Sequence, residues 1–469
     1  MGVGASAGGV EAASELLSCL PSDTGMAFVF IQHLDPQHPS FLPDVLARAT
    51  PMPVAQAADG VRLQADHVYV IPPNAELSLS GPTLRLGPRP VRPGRPALPI
   101  DSFLRSLAED RARSALGVVL SGTASDGTEG LRAIQENDGI TLVQDPQTAR
   151  FAGMPQSAIA AGVADRVLSV PDLARELVRL SRHPYVAPDA RDPGAEEGDE
   201  AVRDQIRALV HNVVGVDFRE YKPASFQRRL GRRMALRELR RLGDYLELLR
   251  ASRPEVEALA EDLLVHVTSF FRDPEAFDAL KAEIFPRILE HKPAGAPVRV
   301  WVPGCATGEE VYSVAIAFLE HLDEAGKASP LQIFATDLSE RTIERARAGF
   351  YADVVLRDVG EERRRRYFTR VEGGYRVNKA VRDACVFVRH DLARDPPFSK
   401  LDLVSCRNVL IYFGAALQKK VIATFHYALN EPGFLMLGRS ESITSFARLF
   451  APVDRANKVY ARTAVPSRL

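Results

Sequence analysis

Ser6 sits in Gly4-Ala-Ser-Ala-Gly8, a G-x-S-x-G pattern whose small flanking residues permit a sharp strand-to-helix turn and expose the hydroxyl near a helix N-terminus. A serine hydroxyl becomes a useful nucleophile only with a base to take its proton and an acid to orient that base. Two residues at strand ends answer to those roles. His33 follows the apolar run Phe28-Val-Phe-Ile31, and Asp126 stands in Leu120-Ser-Gly-Thr-Ala-Ser-Asp-Gly127, directly after the apolar run at 116–120. Together the three suit ester hydrolysis. Taken singly they read as a tight anion-binding turn, a loop histidine and a helix-capping aspartate. The chain order Ser, His, Asp differs from the Ser, Asp, His order of α/β-hydrolases, so that fold is not the natural match.

A second constellation lies in the other half of the chain. Val298-Arg-Val-Trp-Val-Pro-Gly-Cys-Ala-Thr-Gly-Glu-Glu310 reads as an apolar strand, a glycine-containing turn and a helix start, which lets a ligand approach bare backbone. The next strand, Gln332-Ile-Phe-Ala-Thr-Asp337, ends on an acid placed either to hold ribose hydroxyls or to cap the helix after Ser339. The spacing is not the dinucleotide G-x-G-x-x-G, and no G-K-[ST] phosphate loop occurs. A ligand with a ribose and no phosphate, such as S-adenosylmethionine, fits these features.

The elements that must position these groups can be read from hydrophobic periodicity. Apolar runs at 26–31, 68–71, 116–120 and 140–143 alternate with helical patterns at 102–113 and 129–137, which predicts an α/β domain built on a mostly parallel sheet. Residues 184–200 replace that pattern with three prolines, two glycines and an acid run, and read as a solvated linker over 184–201. Helical spacing alone follows at 201–214, 225–237, 242–251 and 255–266. Strand candidates return at 298–302, 333–336, 386–389, 401–406 and 434–437. A hairpin is expected at 371–377, turning at Gly373-Gly374 inside an insertion over about 350–384.

At 469 residues the chain is long enough for two to four domains of roughly 100–200 residues each. Hydrophobic residues at 46% and charged residues at 25% exclude wholesale disorder and fibrous repeats. The net charge of -1 gives no global footprint for nucleic acid. Four scattered cysteines match no zinc spacing and read as free thiols of a reducing compartment. No metal site is expected. Without a membrane-length apolar run or a signal peptide, a cytoplasmic protein is expected.

Four segments together resemble the catalytic domain of the chemotaxis protein-glutamate methylesterases (CheB): Gly4-Ala-Ser-Ala-Gly-Gly9, Gln32-His-Leu34, Leu120-Ser-Gly-Thr-Ala-Ser-Asp-Gly127 and Gly153-Met-Pro-Gln-Ser-Ala158. The resemblance covers residues 1 to about 183. It implies Ser6 as nucleophile, His33 as general base and then acid, and Asp126 as the group orienting the imidazole. Ala7 and Thr123 depart from the family's common Thr and Met, and the leading strand, Met1-Gly-Val-Gly4, is short.

A second set is similar to the chemotaxis receptor-glutamate methyltransferases (CheR), over about 202–462: Val267-Thr-Ser-Phe-Phe-Arg-Asp-Pro274, Gly304-Cys-Ala-Thr-Gly-Glu-Glu-Val-Tyr-Ser313, Ala335-Thr-Asp337, Asp402-Leu-Val-Ser-Cys-Arg-Asn-Val-Leu-Ile-Tyr-Phe413 and Gly438-Arg-Ser-Glu441. This resemblance implies S-adenosyl-L-methionine as cofactor. Thr268 and Arg272 would contact its methionine part, Glu310 its charged end and Asp337 its ribose. Asp391 and Leu392 would border the adenine, Arg407 and Asn408 would close the pocket, and Tyr412 with Arg272 would align the substrate.

The two resemblances imply a CheB–CheR fusion. Its fold is α/β, with an N-terminal doubly wound parallel sheet (1–183), a linker (184–201), an all-helical subdomain (202–290) and a Rossmann-like methyltransferase with a small β insertion (291–469). The partner implied is a methyl-accepting chemotaxis-type receptor bearing glutamates on helices, with no nucleic acid and no membrane insertion. Two alternatives stand beside this reading: an active methyltransferase with a non-catalytic, regulatory esterase-like domain, and a methyltransferase acting on RNA or a small molecule. Residues 219–241 hold nine basic and two acidic residues, either a solvated basic face or a docking surface for that glutamate-rich helix.

Overall fold

In the computed structural model, which describes all residues except 35–39, 90–96, 188–198, 265–267, 294, 444–445 and 467–469, the buried apolar runs become parallel strands. The chain divides into two compact units, residues 1–206 with 227–252, and residues 207–226 with 253–469.

The first unit is built on β1 (Gly2–Ala5), β2 (Phe28–Gln32), β3 (Val54–Gln56), β4 (Val68–Val70), β7 (Leu116–Val119), β8 (Ile140–Gln144) and β9 (Arg166–Leu168). They pair in the order β3-β4-β2-β1-β7-β8-β9, every pair parallel. A parallel sheet needs both faces covered. Helices Gly9–Cys19 and Val170–Ser181 bury Leu16, Leu17, Leu173 and Leu177 against one face. Helices Pro99–Arg111 and Thr128–Glu136 bury Phe103, Leu104, Leu131 and Ile134 against the other.

Though only four residues long, β1 is central, hydrogen-bonded to β2 on one side and β7 on the other. Its glycines let the helix Pro99–Arg111 lie close. A Cβ on Gly4 would stand 2.3 Å from Ile100 Cγ2, so only glycine admits that approach. An antiparallel hairpin, β5 (Ala75–Ser80) with β6 (Thr83–Pro88), also belongs to this unit; it was not anticipated from the sequence.

The start of the expected solvated linker is core: Tyr185 and Val186 are buried, and the Tyr185 hydroxyl donates to the Asp138 carbonyl at 2.6 Å. The rest of that linker lies largely outside the described residues. Nor is the basic run a free face. Arg228 and Arg229 both pair with Asp138, at 2.6 and 2.7 Å, and the buried Arg232 pairs with Asp165 at 2.5 Å while donating to the Gly139 carbonyl at 3.0 Å. These cations, with Ala235 and Leu236 in the core, hold segment 227–252 on the first unit.

The second unit carries β10 (Val298–Pro303), β11 (Leu331–Asp337), β15 (Cys385–Arg389), β16 (Leu401–Cys406), β17 (Leu429–Leu437), β18 (Phe450–Asp454) and β19 (Val459–Arg462), in the order β15-β11-β10-β16-β17-β19-β18. The first five are parallel, and the last two form an antiparallel edge hairpin that the sequence reading did not contain. This is a Rossmann-like sheet whose order reverses at β10. Helix Glu309–Glu324 packs on one face with Val311, Tyr312 and Phe318, and Ala415–Ala428 on the other with Val421, Ile422 and Phe425. The expected insertion is a three-stranded sheet, β12 (Phe350–Tyr351), β13 (Phe368–Val371) and β14 (Gly374–Val377), with Gly373 at its turn. The four cysteines form no disulfide. Among the described residues no helix is long and apolar enough to cross a membrane.

Candidate functional site

In a doubly wound sheet the crevice for ligands opens at the carboxyl ends of the strands where their order reverses. In the first unit that point is β1. Ser6 follows β1, His33 follows β2 and Asp126 lies in the loop after β7, so the sheet order alone brings the three to one edge. Ser6 Oγ is 3.1 Å from His33 Nδ1, and His33 Nε2 is 2.8 Å from Asp126 Oδ2. With its proton on Nε2 and donated to the carboxylate, the imidazole turns the Nδ1 lone pair toward the serine hydroxyl.

The turn around Ser6 is held by backbone. Its N–H donates to the Ser121 carbonyl at 3.0 Å, Gly9 N–H donates to the Ser6 carbonyl at 2.8 Å, and Gly8 takes a positive φ of 68°. The Ser121 hydroxyl donates to the Ala7 carbonyl at 3.0 Å. Helix Gly9–Cys19 then starts beside the nucleophile with its positive dipole end.

Asp126 satisfies both readings of an aspartate at that place. It accepts from His33, and it also accepts backbone N–H bonds from Ile100 (3.1 Å), Asp101 (2.9 Å) and Gly127 (2.9 Å), which caps the helix Pro99–Arg111. At 1% side-chain exposure it has no water to replace these donors. Asp101 was missed by the sequence reading. It is buried beside Asp126, and burial first, then the charge of Asp126, push its carboxyl up to about 7. The signal available was Pro99-Ile-Asp101, a proline and an acid in the first turn of a helix.

In the second unit the candidates again gather at strand ends. Asp337 closes β11, accepting from Ala306 N–H in the glycine turn at 2.9 Å and from Ser339 N–H at 3.0 Å. Gly304 in that turn has φ 67°, and a Cβ there would lie 2.5 Å from Val409. Glu310, in the first turn of the next helix, accepts from the Ser405 hydroxyl at 2.7 Å and pairs with Arg407 at 2.8 Å. Arg407 also donates to the Arg272 carbonyl at 2.7 Å and to Asp273 at 2.6 Å. The structure therefore joins Glu310, Arg407 and the Arg272 segment directly.

Asn408 takes φ 60°, and its N–H donates to the buried Glu441 at 2.9 Å. Glu441 also accepts from Val409, Leu410 and Gly438, yet burial outweighs these four bonds and raises its carboxyl. Asp391 follows β15 and accepts from Ala393 N–H at 2.8 Å, and Leu392 packs into the apolar cluster around Trp301. Thr268 opens the loop leading to Phe271 and Arg272. Asp273, Ser405 and Glu441 had been given no role, although each stood inside a motif run. Bare backbone at Gly304, a strand-end carboxylate at Asp337 and a helix-start acid at Glu310 fit S-adenosylmethionine.

Comparison with known proteins places both halves. Residues 1–177 match the family model described as CheB methylesterase, residues 203–264 the CheR methyltransferase, all-alpha domain, and residues 266–459 the CheR methyltransferase, SAM binding domain. The chain is 39% identical over 436 residues to a 104.1 kDa protein of Rhodobacter capsulatus encoded in the hypE 3' region, covering 89% of this chain and 46% of that protein. It is 30% identical over 235 residues to a chemotaxis protein methyltransferase of Listeria innocua, covering 50% of this chain and 87% of that protein. Among solved structures it is similar to the CheB methylesterase catalytic domain of Thermotoga maritima, with 26% identity, a TM-score of 0.36 and coverage of 38% of this chain and 96% of that one.

Proposed function

Because this chain belongs to the CheR methyltransferase family and carries a CheB methylesterase domain ahead of it, we propose that it writes and erases one modification, the methyl ester of protein glutamates. The observation that carries the esterase half is the continuous relay from Ser6 Oγ through His33 to Asp126. Ser6 attacks the ester carbonyl as its proton passes to His33 Nδ1, and the imidazolium that forms is held by Asp126 through Nε2–H. The same Nδ1 proton goes to the departing methoxy oxygen, giving methanol. Water, deprotonated by His33, then releases the glutamate carboxylate. The start of helix Gly9–Cys19 stabilises the negative oxygen in both steps.

S-adenosylmethionine, when bound, supplies an electrophilic methyl group. A glutamate side chain is already ionised at neutral pH, so its attack needs no strong base and alignment dominates. Asp337 would hold the ribose hydroxyls and Glu310 the charged methionine end, with Thr268 and Arg272 beside it. Asp391 and Leu392 would border the adenine, and Arg407 and Asn408 would close the pocket. Tyr412 and Arg272 align the incoming carboxylate. The substrate is a receptor helix bearing glutamates. The esterase chemistry lies in 1–183 and the methyltransferase sequence in 202–469, of which 227–252 pack within the first unit.

Two variants test both halves. Ser6→Ala loses at least about 1,000-fold in methanol release from a methylated receptor helix while methyl transfer continues. Asp337→Ala loses saturable S-adenosylmethionine binding in calorimetry while ester hydrolysis continues. Full demethylation by Ser6→Ala would instead leave the first domain a regulatory module.

A further inference from the structure

The carboxylate that completes the triad is not alone. Asp101 and Asp126 cap each other's helices. Asp126 accepts from Ile100 and Asp101 N–H at the start of helix Pro99–Arg111, and Asp101 Oδ1 accepts from Gly127 N–H (2.9 Å) and Gly130 N–H (2.8 Å) at the start of helix Thr128–Glu136. The Gly127 N–H is shared, because it also lies 2.9 Å from Asp126 Oδ1. Both carboxylates are buried, at 2% and 1% exposure.

We infer that Asp101 is a positioning residue for the ester hydrolysis, its carboxylate setting through the shared Gly127 amide how strongly Asp126 holds the His33 imidazolium. The inference rests on the esterase reading above. When Asp101 is ionised it draws the Gly127 proton away from Asp126 and adds a second negative charge behind it. Asp126 then stabilises the imidazolium that forms as Ser6 attacks. When Asp101 is protonated, one charge is shared by the same donors and the hold on His33 weakens.

The other charges facing Asp101 are few. Asp126 and Glu129 oppose its ionisation, Arg105 on its own helix favours it, and Glu76 of β5 accepts from the neighbouring Ser102 hydroxyl. Burial and Asp126 together put its titration at about 7, inside the range where an esterase is assayed.

The test is the hydrolysis of p-nitrophenyl acetate by the full chain and its Asp101→Asn variant from pH 5.5 to 8.5, with thermal unfolding to confirm that both are folded. The neutral amide mimics protonated Asp101. The two proteins should agree within twofold at pH 6, and at pH 8 the variant's kcat should be about tenfold lower with KM unchanged, one pKa unit of charge coupling being tenfold. A loss equal at every pH means that Asp101 only supports the fold, and overturns the inference, as do coincident profiles. The wild type gives an independent reading that needs no variant: its Gly127 amide resonance should shift as pH crosses 7, and a Gly127 amide that stays still refutes the shared-donor role. A wild-type chain that hydrolyses no ester refutes the esterase reading itself.

Discussion

Arg407 illustrates how one side chain can join segments that lie 135 positions apart in the sequence. With 3% of its side chain exposed, it bonds Glu310, Asp273 and the Arg272 carbonyl at once. Only a planar fork reaches three such partners, so Arg407→Lys is not conservative. Arg407→Ala takes the cation from Glu310, which keeps the Ser405 hydroxyl, while Asp273 retains Arg439; it should cost about 3 kcal/mol of stability, with at least about tenfold weaker S-adenosylmethionine binding by calorimetry. Asp101 gives a second prediction at this scale. Its folded carboxyl lies near 7, above its ordinary 3.8, so the folded state holds the proton more tightly. The stability this gives is full below about pH 4 and is lost as pH rises through 7. The melting temperature should therefore fall between pH 5 and 8, and Asp101→Asn should flatten that fall. Ser6, His33 and Asp126 were legible in the sequence because each follows its own strand. Asp101, Asp273 and Glu441 were not, since an acid's role depends on which backbone amides the fold brings to it.

At the level of elements, legibility followed burial. Most parallel strands, buried on both faces, stood out as apolar runs, whereas the short glycine-rich β1 was expected only through the family resemblance. The two unanticipated hairpins are half-exposed and carry Pro88 and Pro452, so their alternation is weak. The helix Pro223–Leu236 was legible as a helix, whereas its partner was not, because nothing local tells a solvated arginine from one meeting Asp165. That contact predicts its own energetics. Arg232→Leu leaves Asp165 buried without its cation and should destabilise the first unit by about 3–5 kcal/mol in chemical unfolding. Pairing it with Asp165→Leu should recover only part of the loss: the ion pair itself contributes little net stability, but Asp165 also accepts from Thr141 N–H and Gln135 Nε2, donors that leucine cannot satisfy. No recovery at all would mean that the bonds from Thr141 and Gln135 to Asp165, and not its pairing with Arg232, carry the stability there.

For the whole chain, the residues proposed for each reaction lie within one compact unit. Ser6, His33, Asp126 and Asp101 all belong to the first, and Glu310, Asp337, Arg407 and Asn408 to the second. No residue proposed for one reaction is shared with the other, so single-site loss in either should leave the other intact. Two complete and opposed activities acting on one glutamate would consume S-adenosylmethionine without net change. On the proposed function, the halves are therefore expected to work on different glutamates or under different conditions. With tritium in the transferable methyl group and a receptor helix as acceptor, label should accumulate on the peptide, and Ser6→Ala should leave that accumulation nearly unchanged. Tritiated methanol released as fast as methyl is transferred would sink this idea. It would mean that the chain sets the methylation level of a single site by continuous turnover, with Ser6→Ala raising the plateau.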